Sequence, residues 1–123
     1  MTPQRPSKEL GDAAEAAAAK YLKSRGYTLL TRNFSTRGGE VDIIAVDGKT
    51  VCFVEVRARS SGDFVPPYAT VGPKKQARIR AAAARYVELK RLQNALCRFD
   101  VISVLSASPG KLGWDIEHVR DAF

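Results

Sequence analysis

The residues able to do chemistry gather in one short stretch. Glu40 and Asp42 stand two apart in Gly39-Glu40-Val41-Asp42, and Glu55 and Arg57 stand two apart in Val54-Glu55-Val56-Arg57. Between them lies Asp47-Gly48, flanked by apolar runs, a strong signal for a tight hairpin. A two-residue loop there sets Val46 opposite Lys49, Asp42 opposite Phe53 and Glu40 opposite Glu55. Side chains alternate along a strand, and directly opposed residues share a face. Glu40, Asp42, Glu55 and Arg57 are therefore expected on one face, with Val41, Ile43, Cys52, Val54 and Val56 on the other. Opposed like charges destabilise a sheet, and ionised groups beside a core cost more. Either solvent and Arg57 compensate them, or a divalent cation does; carboxylates with water are what Mg²⁺ or Mn²⁺ prefers. Spacing alone does not choose.

Glu15 belongs with this cluster. At helical spacing it shares a stripe with Gly11, Ala18, Ala19 and Leu22, the face that must dock on the sheet. A glutamate there either snorkels at the edge of the contact or is aimed at a site.

Several elements must position these groups. Residues 1–8 hold Pro3 and Pro6 without an apolar pattern and read as a flexible N-terminal tail before a domain spanning 9–123. An alanine-rich helix runs from about Glu9 to Arg25, with Ser7 as N-cap and Gly26 just past its end. Strands follow at Tyr27–Asn33, Glu40–Val46 and Lys49–Arg57, with a turn at Arg37-Gly38-Gly39. Residues 58–72, with Ser60-Ser61-Gly62 and Pro66-Pro67, form a long loop, a feature that is either mobile or functional. Pro73 opens a second helix reaching about Arg91, with Ile79, Ala83, Tyr86 and Val87 on its apolar stripe. Lys74, Arg78 and Arg85 form a separate basic stripe. Strands at Arg98–Leu105 and Gly113–Val119 complete the order αβββαββ. The helix between the third and fourth strands has the length of a crossover, so those strands should be parallel in an otherwise antiparallel, mixed sheet.

Charge points to a partner. The 123 residues carry a net +7, and residues 57–98 alone carry 10 basic and 2 acidic groups. A concentrated basic block is the footprint of a polyanion, nucleic acid first and an anionic membrane second. Apolar runs are too short for a membrane span or a signal-peptide core. Cys52 and Cys97 form no C-x-x-C, so neither a disulfide framework nor a zinc site of usual spacing is expected, which suits a reducing cytoplasm. His118 is the single histidine, a residue read as structural or exposed. No phosphate-binding glycine loop, dinucleotide fingerprint or nucleophile elbow is present.

The run Arg37-Gly38-Gly39-Glu40-Val41-Asp42-Ile43-Ile44-Ala45, followed by Val51 to Arg59, resembles the signature of the YraN-like proteins. These are small bacterial predicted endonucleases of the restriction-endonuclease-like, PD-(D/E)xK superfamily. The similarity continues through Gly11, Glu15, Gly26-Tyr27, Arg32-Asn33, Lys75-Gln76 and Arg98-Phe99-Asp100-Val101 to Trp114 and Asp121-Ala122-Phe123. The resemblance implies a single-domain α/β restriction-endonuclease-like fold. It makes Asp42 a metal-binding aspartate, Glu55-Val56-Arg57 the (D/E)-x-K element and Glu15 a further carboxylate from the first helix. Mg²⁺ or Mn²⁺ would be held by Asp42, Glu55 and Glu15, and a metal-activated water would attack the phosphodiester. Arg59, Lys74, Lys75, Gln76, Arg78 and Arg85 are the candidate nucleic-acid contacts, with DNA, branched or structured, ahead of RNA.

The departure is Arg57, where the superfamily has lysine. Arginine stays protonated and cannot act as a base, but it can clamp a phosphate. A second reading is thus a catalytically weak or inactive nuclease-fold module that binds nucleic acid or acts in protein assembly. A homodimer is an assembly open to either.

Overall fold

The computed structural model describes residues 8–59, 71–106 and 113–123. Its elements are α1 (Lys8–Ser24), β1 (Thr28–Thr36), β2 (Gly39–Asp47), β3 (Thr50–Arg59), α2 (Pro73–Lys90), β4 (Leu96–Ser106) and β5 (Trp114–Val119). They form one small α/β domain in the expected order. The N-terminal tail and the Ser7 cap lie outside the described residues, except that Lys8 already belongs to α1. Most of the expected long loop, residues 60–70, also lies outside them.

The sheet runs β1-β2-β3-β4-β5. β3 and β4 are parallel, joined through α2, and all other neighbours are antiparallel. The two helices cover opposite faces. Ala14, Ala18, Ala19 and Leu22 of α1 pack with Ile43, Ala45, Cys52, Val54, Ile102 and Val104. Ile79, Ala82, Ala83 and Tyr86 of α2 pack with Val41, Ile44, Val51, Phe53 and Val101. A strand covered on both faces must be apolar at successive positions, and Val51–Val54 of β3 is.

The helix ends follow local chemistry. Gly26, at φ +88°, closes α1: its N–H donates to the Lys23 carbonyl, and Tyr27 N–H donates back to Leu22. Arg91 does the same for α2 at φ 55°, with Leu92 N–H donating to Val87.

The hairpin differs from expectation by one turn position. Asp47 pairs with Thr50, so the loop is Gly48-Lys49, and only Gly48 has positive φ (62°). A loop that needs positive φ at its first position alone puts glycine there, and this moves Asp47 into the strand. Every cross-strand partner shifts two residues along β3: Ile44 faces Phe53 and Ile43 faces Val54. A two-residue shift keeps the faces but changes the partners.

Gly39 is likewise a strand residue rather than a turn residue, since Thr36 pairs with Gly39 around Arg37-Gly38. A Cβ at Gly39 would lie 1.8 Å from the Arg78 carbonyl oxygen. The α2 backbone crosses this point, and only glycine leaves room for it.

Candidate functional site

The β1–β2 ladder shifts register between Leu29 and Thr31, and further along its side-chain alternation breaks at Asn33 and Asp42, where the candidate site is built. The ladder pairs Arg32 with Ile43 and Phe34 with Val41, which sets Asn33 across from Asp42. Asn33 adopts φ 54°, left-handed backbone, a conformation asparagine tolerates better than most residues. Both strands change faces here. Arg32 reaches Glu15 on α1, while Phe34 packs edge-on against Tyr86 on α2. Ile43 belongs to the α1-side core and Val41 to the α2-side core. The expected grouping of Val41 with Ile43 is corrected accordingly, as is that of Asp42 with Glu40, Glu55 and Arg57, since Asp42 lines the α1-side cavity while Glu40 lines one on the α2 side. Strict alternation cannot cross such a break.

Asp42 occupies the break itself. The β2–β3 register is regular up to Ile43 and Val54, and the next position along brings Asp42 to Glu55, in place of the Phe53 expected from sequence. Instead of a further ladder bond, Asp42 Oδ2 accepts the Val56 N–H at 2.8 Å. On the α1 side Asp42 lines a cavity of about 330 Å³ with Lys8, Asp12 and Glu15. Glu55 stays within electrostatic reach of Asp42, and Lys75 Nζ of α2 lies 2.7 Å from its Oε1.

The electrostatics follow from this. Burial, and then the charge of Glu55, push Asp42 up to about 7, against the opposing pull of the Val56 N–H and Lys75. Burial also raises Glu15, opposed by its hydrogen bond from Arg32 Nε at 3.0 Å. Glu55 is 4% exposed. The hard oxygen donors of two neighbouring carboxylates are of the kind that fit Mg²⁺ or Mn²⁺. Among the described residues no group of three His, Cys, Asp or Glu side chains stands ready to hold an ion. Glu15 shares the cavity with Asp42 but is bound to Arg32.

The remaining predicted residues divide by position. Arg57 and Arg59 follow Glu55 at alternate positions of β3, so they share its α2-side face, and both are half-buried. Exposed Lys74 and Arg78 line a cavity of about 270 Å³ with Glu40, Lys75 and Ile79, beside the carboxylate pair. Gln76 is occupied in holding the start of α2, its Nε2 donating to the Val71 carbonyl at 2.7 Å. Arg85 lies two turns or more further along and pairs with Glu88 at 3.3 Å.

Sequence reasoning missed a second polar cluster at the hairpin end of the sheet. Asp100 is completely buried. Its oxygens accept from Arg98 Nε (2.8 Å) and Nη2 (3.0 Å) and from the Asp121 N–H (3.0 Å), and Oδ2 lies 2.8 Å from His118 Nε2. Arg98 also donates to Asp47 (3.2 Å) and to the Tyr27 hydroxyl (2.9 Å). Burial alone would raise Asp100, but the hydrogen bonds from His118, Arg98 and the Asp121 N–H hold it at about 2. The signal was present: Arg98 and Asp100 alternate onto the face of Ile102 and Val104 in an apolar strand. His118, read from sequence as structural or exposed, is half-buried, with its side chain enclosed against Asp100.

A five-stranded mixed sheet with a helix on each face, in the order αβββαββ, defines a single small α/β domain. The chain belongs to the family described as "Uncharacterised protein family UPF0102", the YraN-like group, whose model matches residues 14–104. It is 46% identical over 117 residues to a UPF0102 protein of Geotalea uraniireducens, covering 95% of this chain and 91% of that one. It is 43% identical over 126 residues to a UPF0102 protein of Chlorobium chlorochromatii, covering 100% and 97%. No helix among the described residues is long and apolar enough to cross a membrane.

Proposed function

We propose that this protein is a metal-dependent endonuclease acting on nucleic acid in the cytoplasm, with branched or structured DNA as the substrate class. The observation that carries this is the Asp42–Glu55 pair, set at a break in the sheet beside the basic first turns of α2. Asp42 and Glu55 would hold Mg²⁺ or Mn²⁺, with Glu15 as a further carboxylate. A bound ion supplies Lewis-acid activation of water and neutralises charge on the phosphate. The chain's own residues do the rest. Arg57, always protonated, stabilises charge on the phosphate without abstracting a proton. Arg59, Lys74 and Arg78 grip the backbone, a contact that sets position rather than sequence preference.

The test is Mn²⁺ calorimetry on the wild type and Asp42→Ala, with cleavage of junction and duplex DNA measured in parallel. Binding and cleavage by the wild type, both lost in Asp42→Ala, support the proposal. Equal, negligible Mn²⁺ binding by the two proteins refutes the metal site. Arg57 in the motif's lysine position favours a second reading, a binding or assembly module on the same fold. Under it, salt-sensitive DNA binding survives Asp42→Ala and no metal yields cleavage.

A further inference from the structure

The carboxylate pair already has a cation, and it comes from an element that the motif does not include. Lys75 Nζ lies 2.7 Å from Glu55 Oε1, and its charge also acts on Asp42. Its side chain is 52% exposed, against 5% for Glu55. The ammonium therefore reaches inward from a helix surface on a flexible stem. It is free to leave without opening the core. Lys75 also lines the cavity shared by Lys74 and Arg78, where a phosphate would meet two further cations. Its backbone is fixed: α2 is pinned to β2 by the Gly39–Arg78 approach, one helical turn on. The choice between the two positions thus belongs to the side chain alone.

We propose that Lys75 is an exchangeable counter-ion: it guards the Asp42–Glu55 pair until a divalent cation enters, then turns to the substrate phosphate. This rests on the metal-dependent reading above and adds to it a positioning residue outside the (D/E)-x-K element. Two charges of one sign cannot share the pair at low cost. Entry of a divalent cation therefore displaces the ammonium, and the neighbouring phosphate is the nearest compensating anion. The pair is never left uncompensated, and phosphate contact becomes dependent on the metal.

The test compares the wild type with Lys75→Met, which keeps the stem and removes the charge. Mn²⁺ calorimetry without nucleic acid should show the variant binding about two- to fivefold more tightly, the scale of a partly exposed ion pair. DNA binding should then be measured against salt, with Ca²⁺ and separately with EDTA. Loss of one phosphate contact lowers the log–log salt slope by about one. That drop is expected for Lys75→Met with Ca²⁺ and not with EDTA. Unchanged or weaker Mn²⁺ binding by the variant, or a slope that drops equally in both conditions, overturns the exchange while leaving the metal site standing. Absence of Mn²⁺ binding in both proteins overturns the metal-dependent reading, and the exchange with it.

Discussion

Asp42 faces Glu55 across the β2–β3 hairpin at the position where the ladder stops, and its carboxylate takes the Val56 N–H that a ladder bond would otherwise involve. An acidic side chain is thus part of the sheet's own hydrogen bonding. Its ionisation and the stability of the fold are linked.

That linkage has a sign. Asp42 goes from an ordinary 3.8 to about 7 in the folded protein, so the folded state binds a proton more tightly than the unfolded state. Its contribution to stability falls as pH rises from about 4 to about 7 and is level above that. Each tenfold change in acid strength is worth about 1.4 kcal/mol. Asp42→Asn should remove this slope and be the more stable protein at pH 8. Urea unfolding at pH 5 and pH 8 measures it, and parallel losses in the two proteins would contradict the assignment.

Glu15 should matter less to cation binding than Asp42 does, because Arg32 already holds it. Glu15→Gln is expected to weaken Mn²⁺ binding by less than about tenfold, roughly the effect of an outer partner. Asp42→Asn should abolish binding. Calorimetry showing equal losses would place Glu15 on the ion.

Asp100 should behave in the opposite sense to Asp42 in acid. Its stabilising contribution is full above about 4 and is lost as pH falls through about 2. Asp100→Ala leaves the largely buried Arg98 guanidinium with Asp47 as its remaining carboxylate and empties a fully buried position, and should cost about 3–5 kcal/mol in urea unfolding. A cost below about 1 kcal/mol would mean that water replaces the carboxylate.

Gly39→Ala places a methyl group against the backbone of α2, which cannot turn aside as a side chain would. A loss of about 1–3 kcal/mol is expected. The same shift should move Lys75 off Glu55, which two-dimensional NMR of the lysine ammonium groups would detect. An unchanged melting temperature would show that the α2 backbone can yield at this crossing.

The sequence by itself determined the element order, the parallel β3–β4 pair, the two helix faces and the short list of carboxylates. These follow from local periodicity, from Gly26 and Pro73 at helix ends, and from the length of the crossover. The placement of Glu15 on the docking stripe was legible for the same reason, and it is buried there. Only the tertiary structure decided which groups meet. The turn chose Gly48-Lys49, because one positive φ suffices, and so moved Asp42 from Phe53 to Glu55. The break at Asn33 and Asp42 turned Val41 and Ile43 to opposite faces, which strict alternation does not allow for. Lys75 reached Glu55 because the α2 backbone crosses bare glycine at Gly39. A period of two or of 3.6 fixes which side of its own element a residue takes. Meetings between elements depend on a single turn residue and a single missing Cβ, and no period records those.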